Sequence, residues 1–177
     1  MKNPKISIIT VIKNKKEDIE KNILSLLNQN YQNYEHIIID GGSTDGSKEI
    51  IKKYEKNIAH FISEKDQGIY DAMNKGIDLA TGEIIGILNS DDFFYEDALQ
   101  IVKIYFENNP KIDFLFGTVQ KHILKNGFFP NKIHWTFEFY TSHSVGFFIK
   151  SSSQKKVGHY NTKYKYSADY DLFYRMI

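Results

Sequence analysis

Residues 35–56 read EHIIIDGGSTDGSKEIIKKYEK. An isoleucine run, Ile37 to Ile39, ends on Asp40, two glycines and a string of Ser, Thr and Asp turn the chain, and apolar residues then return at helical spacing. The segment is therefore a strand, a tight turn and a helix, with Asp45 or Ser47 placed to cap the helix. A strand with no polar alternation suits burial on both faces, the habit of parallel sheets built from βαβ units.

Working outward, the same unit repeats. KISIITVI (5–12) is a continuous apolar strand, and from Glu17 to Gln29 the residues Ile19, Ile23, Leu24, Leu26 and Leu27 recur at helical spacing. IAHFISE (58–64) predicts a third strand, GIYDAMNKGIDLA (68–80) a third helix closed by Thr81-Gly82, and EIIGIL (83–88) a fourth strand. After residue 110 the pattern changes: DFLFG (113–117), VQKHILKNGFFP (119–130) with its Asn126-Gly127 turn, and GFFIK (146–150) read as shorter strands of mixed direction. The expectation is an α/β protein with a mostly parallel sheet flanked by helices. No linker or repeat divides it, so residues 1–177 form a single domain with two halves, 1–110 and 111–177. The final SADYDLFYRMI (167–177) reads as a helix with no stop signal after Leu172, Phe173 and Met176, which predicts that the polypeptide continues.

Composition narrows the function. With a formal net charge of +1 and both signs spread throughout, there is no electrostatic case for a nucleic-acid partner. The absence of cysteine excludes disulfides, thiolate metal sites and a cysteine nucleophile, and fits a reducing, cytoplasmic setting. The longest apolar runs are far too short to span a bilayer. MKNPKISIITVIKNKK (1–16) has the lysines and apolar run of a leader but no small-residue cleavage site, so it reads as the first strand.

In open α/β sheets ligands bind beyond the carboxyl ends of the strands. Three polar clusters lie at such ends: Thr10 to Asn14, Asp40 to Asp45, and Asn89-Ser90-Asp91-Asp92. Gly41 and Gly42 allow close approach of backbone to a ligand, and Asp40 offers a carboxylate to ribose hydroxyls or a base imino group. An Asx turn with a helix cap accounts for the same residues equally well. Asp91 and Asp92 are adjacent like charges, costly unless a cation or hydrogen-bond donors sit with them. Their oxygen-only chemistry suits Mg²⁺ or Mn²⁺, which leaves positions open for phosphate oxygens. The competing reading is a cap for a helix starting near Glu96. In EKDQGIYDAMNKG (64–76), Asp66 is the favoured site residue, at a helix start suited to a phosphate or sugar. Asp71 and Lys75 are equally well explained as a capped, charged helix surface.

The stretches SIITVIKN (7–14), IIIDGGSTDGS (37–47), SEKDQGIYDAMNKGIDLATGEIIGILNSDD (63–92) and SADYDLFYR (167–175) occur in the order and spacing of family 2 glycosyltransferases, which the chain resembles over nearly its whole length. The likeness is nearest to bacterial enzymes of cell-surface polysaccharide assembly. It implies the GT-A fold, a Rossmann-like sheet whose first half binds the nucleotide sugar and whose second half receives the acceptor. It implies an inverting transfer from a nucleotide-diphosphate sugar, a UDP-sugar first among them, to a glycan or lipid-linked glycan. Thr10, Asn14, Asp40, Gly42, Asp66, Asn89 and Asp91 would serve the nucleotide-sugar pocket. Asp91 and Asp92 would hold Mn²⁺ or Mg²⁺, and Asp169 would be the general base.

The chain departs from the family pattern twice, with Gly41 where many members have a second aspartate and Asn89 where they have the aspartate opening the metal motif. His143 matches a frequent family histidine, although Ser144 follows it where glutamine is usual. Asp169 and Asp171 are two residues apart and cannot share a helix face, so Asp171 is left to brace the segment. The basic and aromatic stretch 125–140, with Lys132 and Trp135, suits either a flap over the acceptor or a peripheral contact with the membrane surface. A sugar-phosphate nucleotidyltransferase would want a glycine-rich loop after the first strand, where this chain has TVIKNKKED (10–18). A non-catalytic sugar-nucleotide module would not need Asp169.

Overall fold

The computed structural model describes residues 1–117 and 146–176. Strands β1 (Ile6–Ile12), β2 (Tyr34–Asp40), β3 (His60–Ser63) and β4 (Ile84–Ile87) alternate with helices α1 (Lys16–Leu27), α2 (Ser47–Lys53) and α3 (Ile69–Leu79). Helix α4 (Ala98–Asn108) and strand β5 (Phe114–Phe116) follow, then β6 (Phe147–Lys150), α5 (Ser151–Val157) and α6 (Ala168–Tyr174). They form a six-stranded sheet ordered β3-β2-β1-β4-β6-β5. The first four strands run parallel, and β6 joins antiparallel to both β4 and β5.

The continuous apolar runs are explained by cover on both faces. Successive β1 residues point to opposite sides: Ile9 and Val11 pack with Ile37, Met73, Phe147 and Leu172, whereas Ile6 and Ile8 pack with Leu26, Leu99, Val102 and Phe106. Ile6, Ile8 and Ile9 are fully buried, each contributing roughly 1.5–3 kcal/mol. Gly76 lets α3 settle onto this face, since a Cβ there would stand 2.3 Å from Ile9 Cγ2. At the end of the sheet away from the strands' carboxyl termini, Glu35 accepts hydrogen bonds from Lys5 Nζ (2.6 Å), Ser7 Oγ (2.5 Å) and the Thr81 amide (2.7 Å). Burial works against its charge, but these donors outweigh burial and hold the carboxyl at about 2.

The structure differs from the sequence expectations in three places. Leu24 is exposed, so Ile19, Ile23 and Leu26 are the apolar residues of α1 that are fully buried. Helix α2 ends at Lys53, and a separate 3-10 turn takes Glu55–Asn57. Helix α5 was not expected, because SSSQKKV carries a single apolar residue and no period. The 119–130 strand and turn, Lys132, Trp135, His143 and Ser144 lie outside the described residues.

Candidate functional site

Strand order reverses about β1, since β2 and β3 lie on one side and β4 on the other. Such a switch point opens a crevice at the carboxyl ends of the strands. A cleft of about 620 Å³ lies there, lined by Val11 to Lys13 and Lys15 after β1, Asp66 to Ile69 and Ala72 from β3 into α3, and Asn89 to Asp91 after β4. Three separate connections thus deliver charged groups to one space.

Asp91 is half-exposed, and its Oδ2 accepts a hydrogen bond from Lys15 Nζ at 2.8 Å. That bond and the charge of Asp91 push the Lys15 ammonium above its ordinary pKa. Asp92 accepts from Asn89 Nδ2 at 3.2 Å, and its amide donates to the Asn89 carbonyl at 3.0 Å. The two aspartates do not cap α4, which starts at Ala98 behind Asp97. The pair is tolerated because each carboxylate has its own partner, one of them a cation.

The same loop fits a divalent ion by its chemistry. Asn89 Oδ1 is buried and accepts no hydrogen bond among the described residues. It is an acceptor beside an aspartate pair that already draws an ammonium. Among the described residues no group of three His, Cys, Asp or Glu side chains gathers to hold a metal. A cation would therefore draw on Asp91, Asp92 and Asn89 together with oxygens of a bound ligand, as Mg²⁺ and Mn²⁺ commonly do.

Asp66 enters the cleft with its side chain 8% exposed, 4.0 Å from Lys13 Nζ. Its Oδ1 accepts from the Gly68 amide at 3.1 Å. Its other oxygen lies over Gly41, where a Cβ would come within 2.1 Å of it. Gly41 therefore makes room for Asp66. Asp71 accepts from the Gln67 amide at 3.0 Å, and Lys75 pairs with Glu64 and Asp71, so both belong to a capped, charged helix surface.

Thr10, Asn14, Asp40 and Gly42 do not line this cleft. Asp40 is fully buried: its oxygens accept from the Ser43 amide (3.0 and 3.1 Å), Ser43 Oγ (2.5 Å) and Ser63 Oγ (2.6 Å). It clasps the turn after β2 and ties it to β3, the Asx geometry that its sequence also allowed. Gly42 serves the same turn with φ 81°. Asn14, itself at φ 52°, accepts from the Thr44 amide at 2.9 Å and so joins the β1–α1 loop to it. Asp45, one residue ahead of the N-cap Gly46, accepts from the Ser47 amide at 3.0 Å at the start of α2. Thr10 is buried against Asn22 and His36.

Asp169 sits in the first turn of α6, where its Oδ2 accepts from the Tyr70 hydroxyl at 2.9 Å. Tyr70 follows Ile69 of the cleft wall, so α3 links the cleft to Asp169. Burial first, and the charge of Asp169 second, push the Tyr70 phenol up to about 12, which keeps it a donor. The Tyr160 ring stacks on Tyr70 with centroids 5.5 Å apart, and Asn74 clamps the Tyr160 backbone through two hydrogen bonds of 2.9 Å. Asp171 faces elsewhere, paired with Arg175 at 2.9 Å. Sequence reading overlooked Lys13 and Lys15, although a lysine-rich segment following a buried strand at a switch point was the available signal.

The family model described as Glycosyl transferase family 2 matches residues 7–169. The chain is 30% identical over 184 aligned positions, 97% of its length, to a PGL/p-HBAD biosynthesis glycosyltransferase of Mycobacterium bovis. Curated relatives that it matches are longer: it spans 41% of one and 69% of another. Its fold is that of S. aureus TarS 1-349, with TM-score 0.81 at 18% identity, covering 97% of this chain and 55% of that one. TarS 1-349 has also been solved in complex with UDP-GlcNAc. The mannosyltransferase PcManGT of Pyrobaculum calidifontis, solved with GDP-Man and Mn²⁺, aligns with TM-score 0.72 at 18% identity, over 94% of this chain and 50% of that one. The α/β sheet and its helices are thus those of GT-A neighbours.

Proposed function

The chain belongs to glycosyl transferase family 2, and from that footing we propose that it transfers a sugar from a nucleotide-diphosphate sugar to an acceptor hydroxyl, with inversion at the anomeric carbon. The observation that carries this reading is the convergence of Lys13, Lys15, Asp66, Asn89 and Asp91 in one cleft from three strand ends. A diphosphate with a cation and sugar hydroxyls calls for such a mixture of positive, negative and neutral oxygen-bearing groups. Neighbours of the same fold solved with UDP-GlcNAc and with GDP-Man support the donor class, and UDP-sugars are the first to test.

In this reading Lys13 and Lys15 meet the diphosphate charge, while Asp66 and the start of α3 border the donor. Asp91 and Asp92, with Asn89 Oδ1, would hold Mn²⁺ or Mg²⁺, which would supply Lewis-acid neutralisation of charge on the leaving diphosphate. Asp169, oriented by Tyr70, takes the proton of the acceptor hydroxyl, and the oxygen attacks the anomeric carbon opposite the leaving group. Asp40, Gly42 and Asn14 act on the donor through the turns that they fasten, and Thr10 through its contact with Asn22. The acceptor is a glycan or lipid-linked glycan of bacterial surface assembly, met at the cytoplasmic face of the membrane. Among the described residues no helix is long and apolar enough to cross a membrane.

The test is donor hydrolysis and transfer across UDP-, GDP- and dTDP-sugars with Mn²⁺, beside calorimetry with and without EDTA. Asp91→Ala or Asp92→Ala is expected to abolish the metal enhancement of nucleotide binding. Asp169→Asn is expected to keep donor affinity within a few-fold while transfer falls by roughly 10²–10⁴-fold. Equal nucleotide affinity with and without EDTA overturns the metal role. A dead Asp171→Asn beside an active Asp169→Asn overturns the base.

A further inference from the structure

Helix α1 and the turn that follows it carry a row of largely buried polar residues. Asn22 is fully buried and Gln29 nearly so, with Ser25 half-buried between them at helical spacing. All three reach the segment that bears the aspartates. Asn22 Nδ2 donates to the carbonyl oxygens of both Asn89 (2.8 Å) and Asp92 (2.9 Å). Ser25 Oγ accepts from the Phe94 amide (3.2 Å). Gln29 donates to the Tyr95 carbonyl (2.8 Å) and accepts from the Leu99 amide (3.0 Å).

We propose that this comb, with Asn22 as its principal tooth, positions the Asn89–Asp92 loop for cation and donor binding. Resting on the reading of Asp91 and Asp92 as cation holders, it adds residues that touch neither cation nor donor. One amide group bridging two carbonyls three residues apart fixes the turn between them, and hence the spacing of the Asn89, Asp91 and Asp92 side chains.

The amide is itself held in one orientation. Asn22 Oδ1 lies 3.2 Å from Thr10 Oγ1, which lies 2.9 Å from His36 Nε2. Burial holds His36 far below its ordinary pKa, at about 3, so the ring is neutral. Because Asn22 spends both N–H bonds on the loop, its oxygen must accept from Thr10. The Thr10 hydroxyl then accepts from an Nε2–H tautomer of His36, a direction assigned from the bonding pattern. Every donor in this buried chain points toward the acidic loop. A flipped Asn22 would set its Oδ1 against the two loop carbonyls and leave both without their donor, a costly arrangement in a dry interior.

The test uses the full chain with Mn²⁺ and UDP as probes. Removing the outer support of a metal site typically lowers metal affinity by about 10–100-fold, and that range is expected for Mn²⁺ in the presence of UDP with Asn22→Ala, read by electron paramagnetic resonance. Ser25→Ala and Thr10→Val should give smaller losses in the same direction, and keep the test decisive if Asn22→Ala folds poorly. Hydrogen exchange of amides 89–94 should quicken in these variants while the Asp40–Ser47 turn stays protected. Ile19→Val, a buried change on α1 outside the comb, is the control and should leave Mn²⁺ affinity within twofold. The proposal is overturned if loop exchange and Mn²⁺ affinity are unchanged in both Asn22→Ala and Ser25→Ala, or if Ile19→Val matches their losses. If the parent chain binds no Mn²⁺, the cation reading fails by itself, and the exchange data alone decide whether α1 positions the loop.

Discussion

Replacing Lys15 by methionine should tighten Mn²⁺ binding and weaken metal-free nucleotide binding, two effects of opposite sign from one substitution. Lys15 Nζ lies 2.8 Å from Asp91 Oδ2 and 3.9 Å from Asp18 Oδ2, so an ion arriving at Asp91 has to displace a resident ammonium. The Lys15 and Asp91 side chains are 42% and 50% exposed. An exposed pair of this kind contributes about 0.2–1 kcal/mol, so its removal should strengthen Mn²⁺ binding by about 1.4- to 5-fold. The gain should shrink in high salt, where the competing pair is already screened. In EDTA the sign reverses, because the variant has lost a positive charge from the cleft that receives the diphosphate. Paramagnetic resonance titration with Mn²⁺ alone, and calorimetry with UDP in EDTA, read the two effects separately. Unchanged or weaker Mn²⁺ binding in Lys15→Met would refute the view that Lys15 stands where the cation goes.

Glu35→Gln should destabilise the fold most at neutral pH. The folded carboxyl sits at about 2 against an ordinary 4.5, so its stabilisation is fully present above about 4.5 and is lost as pH falls through 2. With Lys5 40% exposed, the pair is partly screened and a loss of roughly 2 kcal/mol is expected at pH 7 by urea unfolding; a penalty constant from pH 7 down to pH 2.5 contradicts this account. Gly41→Ala should push the Asp66 carboxylate aside, with little change in Tm because the clash is with the end of a side chain. UDP affinity should fall as it does in Asp66→Ala, and an Asp66→Ala effect without a Gly41→Ala effect would count against the seat over Gly41. Asp171→Asn should lower Tm by a few degrees through loss of its support to Arg175, which also donates to the Val157 and His159 carbonyls, while transfer persists; loss of transfer at unchanged Tm would reassign the base.

The strands were legible because burial on both faces leaves an unbroken apolar run, and their order along the chain already implied parallel βαβ units. The placement of β6 between β4 and β5 was not legible, since nothing local in GFFIK names its neighbours. Polar residues were harder, for one physical reason. A polar side chain at a strand end is satisfied either by a ligand or by the protein, and the sequence looks the same in both cases. Asp40 and Thr10 have the composition of ligand contacts, yet their bonds are filled by Ser43, Ser63, Asn22 and His36. Conversely, Asn22, Ser25 and Gln29 have the spacing of a solvent-facing stripe, and only the fold shows the acidic loop lying across it. The loop after β4 is where the two alternatives meet. Its carbonyls are bound inward by α1, its Asp91 carboxylate is directed outward to an exchangeable ammonium, and Asn89 Oδ1 is buried with no donor among the described residues. A backbone fastened from α1 leaves the Asp91 carboxylate facing the cleft, where the Lys15 ammonium meets its charge, so the protein keeps two adjacent aspartates without the loop collapsing around them. A loop tied down by the Asp91 carboxylate itself would have consumed a group that a ligand needs.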